Sequence, residues 1–203
     1  MITIIDYGMG NIGSLENMIR KVGGAVCVAH SAEEVLDADK LLLPGVGAFD
    51  NAMKRLGEKD LVTALNQKVI IEKRPILCIC LGAQLVTYTS EEGCLPGLQW
   101  VRGRAKRFCF NHGVELRVPH MGWNDIDIKR SSRLLDGIGA ENAFYFVHSY
   151  YLEMDDPNDI VATTEYGFEF PVVIEHNNIY ATQFHPEKSH KYGMRIMANF
   201  KEI

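Results

Sequence analysis

An α/β fold, with a mostly parallel central sheet flanked by helices and with added antiparallel strands, is what the sequence predicts, on three observations. In the first half, short runs of Ile, Val and Leu alternate with longer amphipathic stretches, the pattern of βαβ units whose strands are buried on both faces. From about residue 98 the runs become half-buried and alternating, which favours hairpins added to the same sheet. The chain has 203 residues and 47% hydrophobic content, enough for one continuous core. Without a repeat, linker or charge block, a single domain over 1–203 is expected.

The elements follow in order. ITII at 2–5 reads as the first strand, and Asn11 is placed to cap a helix through Val22 with Leu15, Met18, Ile19 and Val22 as its apolar stripe. A strand at Ala25 to Ala29 precedes Ser31, which forms a capping box with Glu34. LLLP at 41–44 is a buried strand entering a glycine-rich loop, residues 61–73 have a helical pattern, and ILCI at 76–79 is a strand running into Cys80. Further strands are expected at Val114 to Val118, Trp123 to Ile128, Phe144 to Val147, Pro171 to Glu175 and Ile179 to Gln183. A closing helix from Ser189 to Lys201 turns Met194, Met197 and Phe200 inward.

Composition narrows the function classes. A net charge of −5 offers no electrostatic footprint for nucleic acid, and the basic run Arg102, Arg104, Lys106, Arg107 reads as a solvated strand face. Five cysteines, an odd number in a chain too large to need disulfide staples, fit reduced thiols and a cytoplasmic setting. The start MITIIDYGMGN has no basic n-region or long apolar h-region, and no stretch of about 18 apolar residues occurs. Neither membrane nor metal is expected, since there is no CxxC pair and no HExxH helix.

The chemistry centres on Cys78-Ile79-Cys80-Leu81-Gly82, set between an apolar strand and a helix beginning near Ala83. A strand-to-helix turn of this kind holds a nucleophile exposed at the carboxyl edge of a sheet. The N–H groups and positive dipole end of the helix favour a thiolate and suit an oxyanion. Taken alone, such a cysteine is more often a small buried hydrophobe. A partner base changes the balance: QFHPEKS at 183–189 supplies His185 to take a thiol proton and Glu187 to orient the imidazole. Seen by itself, His-Pro-Glu is a turn with a surface carboxylate.

DYGMGN at 6–11, PGVGAF at 44–49, CICLGAQ at 78–84, SEEG at 90–93, PHMGWN at 119–124, FVHSY at 146–150 and QFHPEKS at 183–189 occur together and in order. Across nearly the whole chain they resemble the glutaminase subunits of imidazole glycerol phosphate synthase, within the class I glutamine amidotransferases. The resemblance implies a flavodoxin-like fold and hydrolysis of glutamine to glutamate and ammonia, with Cys80 as nucleophile, His185 as base and Glu187 as its orienter. It implies no cofactor, and a cyclase barrel or related synthase that receives the ammonia in a heterodimer. Gly45, Val46, Gly47 and Leu81 would form the oxyanion hole, while Gln84, Glu92, His148, Ser149 and Tyr150 would line the glutamine site. Asn11, Pro119, His120, Met121, Gly122 and Trp123 would meet the partner. The chain departs from the family at Cys78, where glycine is usual, and at Ala83, where methionine is usual; Cys78 is read as packing.

Three other readings stay open at this stage. Gly8, Gly10 and Gly13 spell GxGxxG after the first strand, a weak dinucleotide signal with no acidic residue at the end of the second strand. The same cysteine, histidine and glutamate would serve a stand-alone cysteine hydrolase. Within the family, relatives supply ammonia for amidine formation on bacterial surface sugars.

Overall fold

Strands buried on both faces pair most readily with one another, and the first half of the chain does so. The computed structural model describes residues 1–110 and 116–203. In it β1 (Ile2–Ile5), α1 (Ile12–Lys21), β2 (Val26–Ala29), α2 (Ala32–Leu36), β3 (Leu41–Gly45), α3 (Phe49–Glu58), α4 (Leu61–Asn66) and β4 (Ile76–Cys80) follow in turn. β4 passes directly into α5 (Leu81–Leu85). Then come β5 (Thr89–Ser90), β6 (Gly103–Arg107), β7 (His120–Asn124), β8 (Asp127–Ile128), β9 (Phe144–His148), β10 (Tyr150–Met154), β11 (Ile160–Glu165), β12 (Glu169–His176), β13 (Ile179–Thr182) and α6 (His190–Glu202).

The main sheet has the order β2-β1-β3-β4-β13-β12-β11-β8 among the described residues. The first five strands are parallel and the last three antiparallel, so a flavodoxin-like order carries an antiparallel edge. Alternate residues feed two core layers. Ile5, Leu41, Leu43, Ile76 and Cys78 pack with Val35, Phe49, Leu56, Leu61 and Leu65 on one side. Ile2, Ile4, Leu42, Leu77 and Ile79 pack with Leu15, Ile19, Ile196, Met197 and Phe200 on the other.

Several expectations change in detail. Not all later strands join the main sheet: among the described residues β7 pairs only with β9, and β5, β6 and β10 form a third sheet. The run from Trp123 to Ile128 therefore splits between β7 and β8. Val114 and Glu115 lie outside the described residues, and Leu116 to Val118 is not strand. The helical pattern at 61–73 breaks into α4 and a π-helical turn, Gln67–Ile71. α3 is not among the expected elements: it has no side-chain cap at its start, although Phe49, Ala52 and Leu56 keep a helical spacing. Ser31 and Glu34 form the expected capping box, whereas the Asn11 side chain makes no cap. In α6, Ile196 is buried and Met194 only partly so, a shift of the inward stripe toward the sheet. The basic face of β6 is neutralised by β10, where Glu153 takes both Arg104 and Lys106.

Candidate active site

β3, β4 and β13 lie side by side and parallel, so their carboxyl ends meet at one edge, where α/β sheets form crevices. Cys80 closes β4 with φ 55° and ψ −107°, left-handed backbone that costs a non-glycine residue about 1–3 kcal/mol and needs surrounding structure to enforce it. The enforcement is steric: a Cβ on Gly82 would collide with the Leu43 carbonyl, so only glycine lets the turn pack against β3. The elbow also separates the two thiols. Cys78 faces the layer of Ile5 and Leu43, and Cys80 faces the opposite layer. A same-face placement, expected from a two-residue offset, fails because the positive φ breaks the strand period. Burial pushes the Cys78 thiol far up, consistent with a packing role. α5 is a single turn of five residues, so its amides matter more than a macrodipole.

The loop beyond β3 is tied down from two directions. The Tyr7 hydroxyl donates to the Pro44 carbonyl at 2.8 Å, and burial keeps that phenol protonated. On the other side Glu92 accepts the Phe49 N–H at 2.9 Å, while the Asp50 carboxylate accepts the N–H groups of Cys94 and Leu95 and is held below the usual carboxylate range by them. The PGVGAF and SEEG segments are thus laced together. Gly47 sits at φ 102°, in the left-handed region that favours glycine.

His185 follows β13, and the turn Pro186–Lys188 brings Glu187 back onto it. The Nδ1–Oε1 distance is 2.7 Å with both side chains at most 3% exposed. Burial by itself would lower the imidazole's pKa, but the nearby Cys80 sulfur and the bonded Glu187 carboxylate, with their negative charge, outweigh it and push His185 up to about 10. Nε2 is buried without a hydrogen-bond partner of ordinary geometry among the described residues, and so is Glu187 Oε2. Such contacts are commonly long until substrate binds.

Cys80 and His185 open into one cavity of about 300 Å³, lined also by Val46, Gly47, Leu81, Gln84, Glu92, Pro119, Val147, His148, Ser149, Tyr150 and Lys188. Of the residues the sequence places at the site, Gly45 stands apart: it is buried in β3, paired with Cys80, under Leu81 and Gly82. Asn11 is exposed at the start of α1. A larger hollow of about 570 Å³ lies at the amino end of β13, away from Cys80. Sequence reading missed Tyr7, Asp50, Lys188 and Gln183. Gln183 lies inside the quoted QFHPEKS segment, directly after a strand buried at all four positions, which could have marked it as a buried polar side chain.

Residues 3–203 match the family described as glutamine amidotransferase class-I. The chain belongs to the class I glutamine amidotransferases. Among curated relatives, imidazole glycerol phosphate synthase subunit HisH 2 of Methanococcus maripaludis is 48% identical over 98% of each chain. The protein of the same name from Pseudomonas aeruginosa is 44% identical over the full length of both. Its counterpart HisH of Bdellovibrio bacteriovorus is 45% identical, again over 100% of both chains. Of solved structures, PurLQS from Thermotoga maritima gives a TM-score of 0.72 at 14% identity, covering 98% of this chain and 96% of that one. The glutaminase domain of Trypanosoma brucei CTPS has a TM-score of 0.64 at 16% identity, covering 99% and 93%. These two likenesses bear on the fold alone.

One wall of the amidotransferase site is the β7–β9 ribbon. Alternation along β7 exposes Met121 at 61% and Trp123 at 50%, and Trp123 stacks on His190. Trp123 is thus a surface residue. His120, expected at the surface, instead points inward, because the same alternation that exposes Met121 buries its neighbours. Its Nδ1 lies 3.0 Å from His148 Nε2, and His148 Nδ1 lies 2.7 Å from the Tyr150 carbonyl. That carbonyl can only accept, so His148 donates from Nδ1 and His120 donates to it in turn. Burial pushes His120 down to about 4 and His148 down to about 3, so both rings are neutral. No helix among the described residues is long and apolar enough to cross a membrane.

Proposed function

We propose that this amidotransferase is the glutaminase subunit of imidazole glycerol phosphate synthase, acting in histidine biosynthesis in the cytoplasm as one domain spanning 1–203. The Cys80 sulfur attacks the side-chain amide carbon of glutamine. An S–C bond forms, the thiol proton passes to His185, and His185 returns it to the departing nitrogen as the C–N bond breaks. Water then attacks the γ-glutamyl thioester: its proton goes to His185, the S–C bond breaks, and His185 passes that proton to the departing sulfur, releasing glutamate and restoring the thiol. Glu187 fixes the imidazole with Nδ1–H toward itself, so that Nε2 is the working nitrogen. The amides of Val46, Gly47 and Leu81 receive the oxyanion, and Gln84, Glu92 and the Ser149–Tyr150 wall hold the substrate.

The observation that carries this reading is the buried pairing of His185 with Glu187 at 2.7 Å, leaving Nε2 for the cavity that Cys80 shares. Ammonia passes to a cyclase barrel docked on the face of Met121 and Trp123, with Asn11, Pro119 and Gly122 at its border. Exposed aromatic and Met side chains of this kind anchor protein interfaces.

The test is reconstitution with a cyclase partner. Cys80→Ser should abolish synthesis driven by glutamine and leave synthesis driven by ammonium salts intact. Loss of both, or of neither, would overturn the assignment. Pairing instead with a synthase that acts on surface sugars, and not with the cyclase, would move the chain to that branch of the family.

A further inference from the structure

Gln183 ends the run after β13, two residues before His185, and is fully buried. Its backbone N–H is used on the Val172 carbonyl. Its side chain meets two groups: Oε1 lies 3.3 Å from Gln84 Nε2, and Nε2 lies 3.9 Å from the Cys80 sulfur. An amide can in principle be turned end for end, so the direction of these bonds must come from a group that has no choice. The Tyr150 carbonyl is that group. It accepts from His148 Nδ1 and, at 3.3 Å, from Gln84 Nε2. Gln84 must therefore present its NH₂ end, whose second hydrogen goes to Gln183 Oε1. The Gln183 NH₂ is then left facing the sulfur.

We propose that Gln183 is a catalytic amide donor to the Cys80 sulfur, steadying its negative charge before attack and again when the thioester breaks. The proposal rests on Cys80 being the nucleophile. A thiol sulfur accepts a hydrogen bond weakly and a thiolate strongly, so a fixed donor favours the charged form and points it along one direction. In the thioester the charge is gone, and the same donor loses little. Its help is thus concentrated where sulfur carries charge. The other titratable groups around that sulfur are His185 with Glu187 behind it, Tyr7 just beyond β1, and His148, Tyr150, Glu92 and Lys188 on the cavity wall.

The experiment is alkylation of Cys80 by iodoacetamide across pH in the full chain, with glutaminase rates in the reconstituted complex. Gln183→Leu removes the donor. Gln183→Glu keeps an acceptor for Gln84 but sets an oxygen against the sulfur, so it remains informative if the leucine variant folds poorly. At pH 7 alkylation should slow about tenfold in Gln183→Leu and more in Gln183→Glu, as expected for a lost bond to a charged group. The deficit should close toward pH 10, and kcat should fall about tenfold while KM for glutamine stays within about twofold. A deficit equal at every pH, or no deficit in either folded variant, would overturn the donor role and leave the proposed function standing. If alkylating Cys80 in the parent protein leaves glutaminase activity intact, the proposed function fails, and the donor role fails with it.

Discussion

Two buried histidine regions border the same cavity and end in opposite states. In the segment after β13, His185 stands beside Glu187 and Cys80 and is pushed up to about 10. In the β7–β9 ribbon, His148 and His120 bond to a carbonyl and to each other, and are pushed down to about 3 and about 4. Desolvation acts on all three in the same direction, against the charged form. What differs is the partner: Cys80 and a carboxylate 2.7 Å away in one region, neutral groups in the other. One region is built to take up a proton and the other to refuse it, so proton traffic at the cavity is confined to the Cys80 side.

Removing the base tests this most severely. His185→Ala should lower glutaminase turnover at least ~10³-fold, measured as glutamate released by the complex. Glu187→Gln should lose less, by roughly one to two orders of magnitude, since an orienting residue is removed and not the base itself. In Glu187→Gln the His185 pKa, followed by NMR, should drop from its parent value, because burial then faces less opposition. An unchanged value would break the comparison, for the carboxylate would then have no share, beside Cys80, in separating the two regions.

The two regions also differ in how far the sequence discloses them. The Cys80 elbow is local: an apolar strand, a small residue two places on and a short helix fit within ten residues, and Gly82 is explained by the approach of β3. The His185–Glu187 turn is equally compact. The parallel strands were legible because burial on both faces leaves unbroken Ile, Val and Leu. The ribbon was not, because its inward polar side chains are satisfied only across strands: His120 finds His148 28 residues away. Gln183 beside β13 was hidden in the same way, since it finds Gln84 99 residues away. Read along the chain, PHMGWN shows a His, a Met and a Trp with nothing to say which faces inward; strand alternation decides it only once β9 is paired. α3 lacked only a capping side chain to mark its start; the spacing of Phe49, Ala52 and Leu56 is helical and was there to be read.

A smaller effect sharpens the comparison through stability. Between pH 6.5 and about 4 the unfolded chain takes up protons at positions 120 and 148 that the folded ribbon refuses. The unfolded state therefore binds more protons, and stability must fall as pH drops through that window. His185 works the other way: its raised pKa adds stability that is complete below 6.5 and is lost as pH rises through about 10, so it contributes no slope here. The depressed carboxylates Glu34, Asp50, Glu72, Glu153 and Glu169 lose their contributions only as pH falls below their ordinary values of 3.8 and 4.5. The interval from 6.5 to 4.5 thus reports on the ribbon. Thermal unfolding of the parent protein should shift down by roughly 5 °C between pH 7 and pH 5. His120→Gln should begin lower at pH 7, having lost the ring that stacks on Phe146 and Tyr166, yet show about half that pH-dependent shift. A parent midpoint equal at both pH values, or a variant with the full shift, would mean that the ribbon histidines are not held neutral by the fold.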